Sequence, residues 1–175
     1  MLPPHGQSEE TVPSRSDWLT KALHEMSGEL HTRLTAFDRA SIHETPVPGT
    51  ESPLELARLL RNRELISGSH IEQCVYGPPG SLRLHDLEWL DPAVDPFEAD
   101  DVTELMYEFL GLRRRTCSLF WGMSEREWHQ TTHHRFLGSV TLEDLIVALH
   151  EHDIEALWKA KKLADALGAP QPHFG

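Results

Sequence analysis

A helix-start signal that recurs along the chain constrains its fold more than any other feature. Ser14-Arg15-Ser16-Asp17, Ser52-Pro53-Leu54-Glu55, Asp101-Val102-Thr103-Glu104, Ser124-Glu125-Arg126-Glu127 and Thr141-Leu142-Glu143-Asp144 each set a capping side chain three residues before an acid. The cap satisfies N–H groups that a first turn leaves without partners, and the acid sits at the positive end of the helix dipole. Pro53, at a first helical position, strengthens the second signal. Four of these starts lead into long stretches of helical periodicity. Leu19, Leu23, Met26, Leu30, Leu34 and Phe37 form one apolar stripe, and Val102, Leu105, Phe109, Leu112, Thr116, Leu119 and Met123 form another. Residues 54–75 and 142–167 supply two more. No alternating β-branched run is bounded by turns, so strands should be few or absent. The expected fold is all-α, a four-helix bundle.

The gaps between stripes shape that bundle. Residues 40–51 (ASIHETPVPGTE) read as a loop with two prolines, and HQTTHHRFLGSV as a loop or small extended excursion before the last helix. The stretch from Gly77 to Asp100 is too long for a tight helix hairpin. It should be a long crossover between helices 2 and 3 that travels the length of the bundle or covers one end. A chain of 175 residues is expected to form one domain over 15–168, with disordered tails at 1–14 and 169–175.

Charge and composition exclude several function classes. Sixteen basic residues face 28 acidic ones, a formal net charge of −12, whereas a phosphate-binding surface needs clustered Lys and Arg. No nucleic acid partner is expected. Arg113-Arg114-Arg115, the one dense basic run, reads as a solvated helix face. No apolar run reaches the ~18 residues that span a bilayer, and MLPPHGQSEETVPSRS lacks the basic and apolar regions of a signal peptide. Cys74 and Cys117 lie in no CxxC motif and read as reduced thiols in a cytoplasmic core.

The stretch ALHEHDIEALWKAKKL raises the question of a metal. His150 and His152 stand two apart, so on a helix they point about 200° away from each other and cannot share one ion. The helical partner of His152 would be residue 156, which is Ala156.

In order along the chain, four elements resemble the DinB/YfiT-like superfamily, distinct from the DNA polymerase that shares the DinB name. They are a first amphipathic helix, SPLELARLLRNRE opening the second, a third helix followed by SEREW, and GSVTLEDLIVALHEHDIEALWKAKKL. The last is the most specific, because family members typically show a Gly, a Thr-Leu pair and then a helix carrying His-Asp-x-x-His. The resemblance covers about residues 16–168. It implies a four-helix bundle that often dimerises. It also implies a divalent metal held by one histidine on the second helix and two, at i and i+4, on the fourth. Relatives are hydrolases or thiol S-transferases with bacillithiol, mycothiol or glutathione-like cosubstrates. Three imidazoles leave open positions on the ion, which can activate water or thiolate and polarise a carbonyl.

Carried over residue by residue, that triad mostly fails. His152 matches the first histidine of the pair, Ala156 stands where the second belongs, and Leu59 falls where the second-helix histidine should be. Residues 53–69 contain no histidine. A rearranged site would use Glu64 with His152, helped by Asp153, His70, His85 or His134. The competing expectation for Glu64 is a solvated or ion-paired residue, and for His152 a buried imidazole on the core face. His24, His31, His43, His129, His150 and His173 read as solvated. Trp18, Trp89, Trp121, Trp128 and Trp158 are expected in core and interface packing, with a cavity lined by Trp121 and Trp158 as the functional alternative.

Two functional expectations follow. The first is a cytoplasmic DinB-like homodimer without the family's metal chemistry and with no cofactor, a small-molecule-binding or stress-associated module. The second is a metal-dependent thiol S-transferase or hydrolase holding Zn, Ni or Fe around His152 and Glu64.

Overall fold

The computed structural model describes residues 14–46, 48–77, 99–134 and 138–170. Helix α1 spans Arg15–Leu34, α2 Pro53–Tyr76, α3 Val102–Leu119, α4 Glu125–Trp128 and α5 Leu142–Leu167, with strands β1 (Thr131–His134) and β2 (Gly138–Thr141) between α4 and α5. Each helix begins at a capping signal. Ser14, Ser52 and Thr141 accept from the backbone N–H of Asp17, Glu55 and Asp144, whose carboxylates accept from the cap N–H in return. The Asp101 carboxylate accepts from Thr103 and Glu104, and Glu127 accepts from the Ser124 N–H. Helix α5 ends at Gly168, whose positive φ of 67° turns the chain out of the helix.

Two apolar clusters reveal the helix directions. One joins Leu30 and Leu34 near the end of α1, Leu54 and Leu56 at the start of α2, Leu105 on α3 and Leu163 on α5. The other joins Leu19 and Leu23 at the start of α1, Ile71 late in α2, Phe120 just after α3, and Leu142 and Ile146 at the start of α5. Helices α1 and α5 therefore run parallel, as do α2 and α3, and the two pairs oppose each other. Helix α1 packs on α3 and α5, and α2 packs on the same two. Helices α2 and α3 are thus parallel neighbours, joined by the long segment between Tyr76 and Val102. Residues 78–98, and with them Trp89 and the detailed path of the crossover, lie outside the described residues. So do nearly all residues of the two terminal stretches read as tails.

Of the two alternatives for the excursion before the last helix, the extended one holds: it is an antiparallel hairpin, pairing Thr131 with Thr141 and His134 with Gly138. Thr131-Thr132 and Val140-Thr141 supply its β-branched residues, but the run is too short to register as an alternating pattern. On α3 the buried stripe is Val102, Leu105, Met106, Phe109, Arg113 and Thr116, while Leu112 lies at its half-buried margin. An arginine thus occupies the core position four residues after Phe109.

Candidate functional site

Leu59, His152 and Ala156 line one cavity of about 10 Å³ between α2 and α5. That is about the room needed by a single water molecule. His152 is half-buried rather than buried. Desolvation lowers its pKa from the ordinary histidine value, and the nearby Arg63 charge pushes the same way. The remaining wall includes Leu60, Arg63, Glu155 and Lys159. The Lys159 ammonium lies 2.7 Å from the Glu51 carboxylate and 3.0 Å from that of Glu155, so the nearest acids already hold a cation. One imidazole, three apolar side chains, one carboxylate already paired with Lys159 and two cationic side chains do not fit a divalent ion. Among the described residues, no three His, Cys, Asp or Glu side chains form a group able to hold a metal.

Glu64 does not line that cavity; it belongs to a buried hub at mid-bundle. Arg113 on α3 donates from Nε and Nη2 to Glu64 Oε2 at 3.0 and 2.8 Å. Its Nη1 reaches Asp153 Oδ2 on α5 at 2.6 Å and the Leu23 carbonyl on α1 at 3.0 Å, and Nη2 reaches Asp153 Oδ1 at 3.0 Å. Five N–H donors meet five contacts, so each helix of the bundle contributes to one guanidinium. Arg113, Glu64 and Asp153 are each 1% exposed. Burial works against the arginine's charge, but Glu64 and Asp153 outweigh it and raise its pKa. The reading of Arg113 as a solvated residue is thereby corrected, while Arg114 and Arg115 are exposed as expected. Glu64 Oε1 is buried with no hydrogen-bond partner.

The other histidines are dispersed. His70 is buried on α2; His129 lies 3.4 Å from Glu125 and 3.3 Å from Glu143; His150 packs on Trp18 and His31 on Tyr107. His85 and the side chain of His134 lie outside what is described.

A cleft of about 890 Å³ lies where the start of α1 faces the end of α3. Sequence reasoning set Trp121 on a cavity but paired it with Trp158 and named none of the other lining residues. Lys21 and His24 come from α1, Arg114 and Cys117 from α3, and Trp121 and Met123 from the segment leading to α4. Phe120 and Trp128 pack edge to face at 5.7 Å as a buried floor. Gly122, with φ of 77°, makes the turn that leaves Trp121 83% exposed. The only signal in the sequence is the Trp121-Gly122-Met123 punctuation between a helix end and a cap. Trp158 does not join Trp121 here; it lies on α5 with the Lys162 ammonium 3.5 Å above its ring. Of the four described tryptophans only Trp128 is in the core. Burial pushes the Cys117 and Cys74 thiols up to about 11, and both are free.

Parallel α2 and α3, opposed by parallel α1 and α5, define a four-helix bundle of the DinB/YfiT-like fold. A solved structure of that fold is YfiT from Bacillus subtilis, described as a probable metal-dependent hydrolase with an unusual four-helix bundle topology. It superposes with a TM-score of 0.76 over 97% of this chain and 95% of its own, at 14% identity. At that identity the likeness is one of fold. No protein-family profile matches the sequence, and no curated protein matches it.

Proposed function

We propose that this protein is a small-molecule-binding bundle that does not use a three-histidine metal centre. The observation that carries this reading is the cavity of about 10 Å³ at which Leu59 and Ala156 meet His152. Apolar side chains stand at two of the three positions where the resemblance calls for imidazoles. The two carboxylates that the rearranged-site alternative adds, Glu64 and Asp153, are both bonded to Arg113. Ligand binding belongs instead to the cleft between α1 and α3, which has the volume and the mixed apolar and polar lining of a small-molecule site.

The assembly we propose is a cytoplasmic homodimer without a nucleic acid partner. Two free cysteines suit a reducing compartment, and the net charge of −12 opposes a polyanion. No helix among the described residues is long and apolar enough to cross a membrane. Metal analysis of purified, untagged protein tests the central claim. It should find well under one equivalent of Zn, Ni or Fe, and chelator should leave the melting temperature unchanged. The paired change Leu59→His with Ala156→His should create binding, because it returns imidazoles to the wall that His152 already lines. Stoichiometric metal in the natural protein, lost on His152→Ala, would overturn the reading in favour of a metal-dependent hydrolase or thiol S-transferase.

A further inference from the structure

The cleft between α1 and α3 is positive in a negative protein. Lys21, His24 and Arg114 line it against one acid, Asp17, whose Oδ2 already accepts from the Ser14 N–H and hydroxyl. Its two permanent cations, Lys21 and Arg114, are weakly engaged. Lys21 lies 3.7 Å from an exposed Glu25, and among the described residues Arg114 makes one long contact, 3.4 Å from Nε to the Leu110 carbonyl. Both therefore keep donors for an outside acceptor. They stand on different walls, one on α1 and one on α3, so a single anion between them gains from both.

The apolar half of the cleft has its own chemistry. Trp121 presents an indole that is 83% exposed, a large stacking surface. Around it lie Met123 and Cys117, whose sulfurs favour aromatic neighbours, with the Phe120–Trp128 pair beneath. The Cys117 thiol, raised to about 11, stays neutral and adds no repelling negative charge. An aliphatic chain would be served by a narrow tube of branched side chains, whereas this lining is aromatic and sulfur-rich.

We propose that this cleft binds a small aromatic anion, its ring stacked on Trp121 and its acidic group held between Lys21 and Arg114. The proposal rests on the reading of the protein as a small-molecule-binding bundle and supplies its ligand class.

Fluorescence titration of the full chain with 8-anilinonaphthalene-1-sulfonate, and with the neutral probe N-phenyl-1-naphthylamine, tests it. The anionic probe should bind saturably at one site per chain, and added salt should weaken it more than the neutral one. Lys21→Glu with Arg114→Glu should weaken the sulfonate about tenfold at low salt and spare the neutral probe. Trp121→Ala should weaken both about tenfold, and Trp158→Ala neither. All these side chains are at the surface or the cleft rim, so each variant should keep the helical circular dichroism of the parent. Equal affinity for both probes, insensitive to the charge reversal but sensitive to Trp121→Ala, would overturn the anion and leave the binding site standing. Binding that no cleft substitution moves would overturn the proposal and the small-molecule reading together.

Discussion

Arg113 shows how one residue can organise a core and yet not be a gain in stability over an apolar substitute. Desolvating a guanidinium and two carboxylates costs several kcal/mol per ion, and the mutual attraction offsets this only because all five guanidinium donors find an acceptor. Removing one member leaves the others buried and uncompensated. Arg113→Met should therefore destabilise the fold by about 3–5 kcal/mol in urea unfolding. Glu64→Leu, Arg113→Met and Asp153→Leu together should recover most of that loss. A triple variant no better than the single one would show that the hub's value is in its geometry rather than its charge balance. The cysteines give a second test at this scale. With both thiols near 11 instead of 9.0, the thiolate fraction at pH 8 falls about a hundredfold, and the higher intrinsic reactivity of a more basic thiolate returns about half of that on a logarithmic scale. Iodoacetamide should then label Cys74 and Cys117 about tenfold more slowly than an unperturbed thiol. Labelling at the ordinary rate would mean that the burial raising those values is not present in solution.

Helices α2 and α3 approach each other closely at Gly68. A Cβ built there would stand 2.8 Å from the Thr116 hydroxyl oxygen, whereas one at Gly111 would meet nothing within 4 Å. Both glycines are helical and each forgoes about 0.5–1 kcal/mol relative to alanine. Gly111→Ala should stabilise by about that amount, because the substitution only removes unfolded-state freedom. Gly68→Ala should instead destabilise, since the short Thr116 side chain is buried and has little room to move. Adding Thr116→Ala should remove the penalty, giving a non-additivity of about 0.5–3 kcal/mol in a double-mutant cycle. Additive effects would place the two helices farther apart than the geometry has them.

Over the whole molecule, a half-exposed apolar stripe runs along the α1/α5 side. Trp18 on α1 packs on His150, and Ile154 and Trp158 follow at one-turn spacings along α5. Trp18, Ile154 and Trp158 are all about half exposed. Parallel helices presenting such a face suit a two-fold interface in which each copy covers the other's indoles. Sedimentation at tens of micromolar should show a species of twice the 19.9 kDa chain mass, and Ile154→Glu with Trp158→Glu should convert it to monomer without loss of helix. A parent that sediments as a monomer would leave the stripe without its proposed occupant.

What was legible in advance lies mostly at short range. Helix starts are hydrogen bonds between residues three apart, and stripes repeat every three or four, so Ser52 with Glu55 or Leu19 with Leu23 announce themselves in the chain. The need for a long return between α2 and α3 follows from chain length, and the meeting of Leu59 with His152 and Ala156 follows from the resemblance and one helix register. The burial of Arg113 does not. Its compensating groups are 49, 40 and 90 residues away, at Glu64, Asp153 and the Leu23 carbonyl, so a run of three arginines looks solvated until the bundle closes. The cleft is equally a product of closure, for neither the start of α1 nor the end of α3 encloses any space alone. Capping and amphipathicity are properties of a segment. Charge compensation and cavity shape are properties of segments brought together from far apart in sequence, and only the tertiary structure decides them.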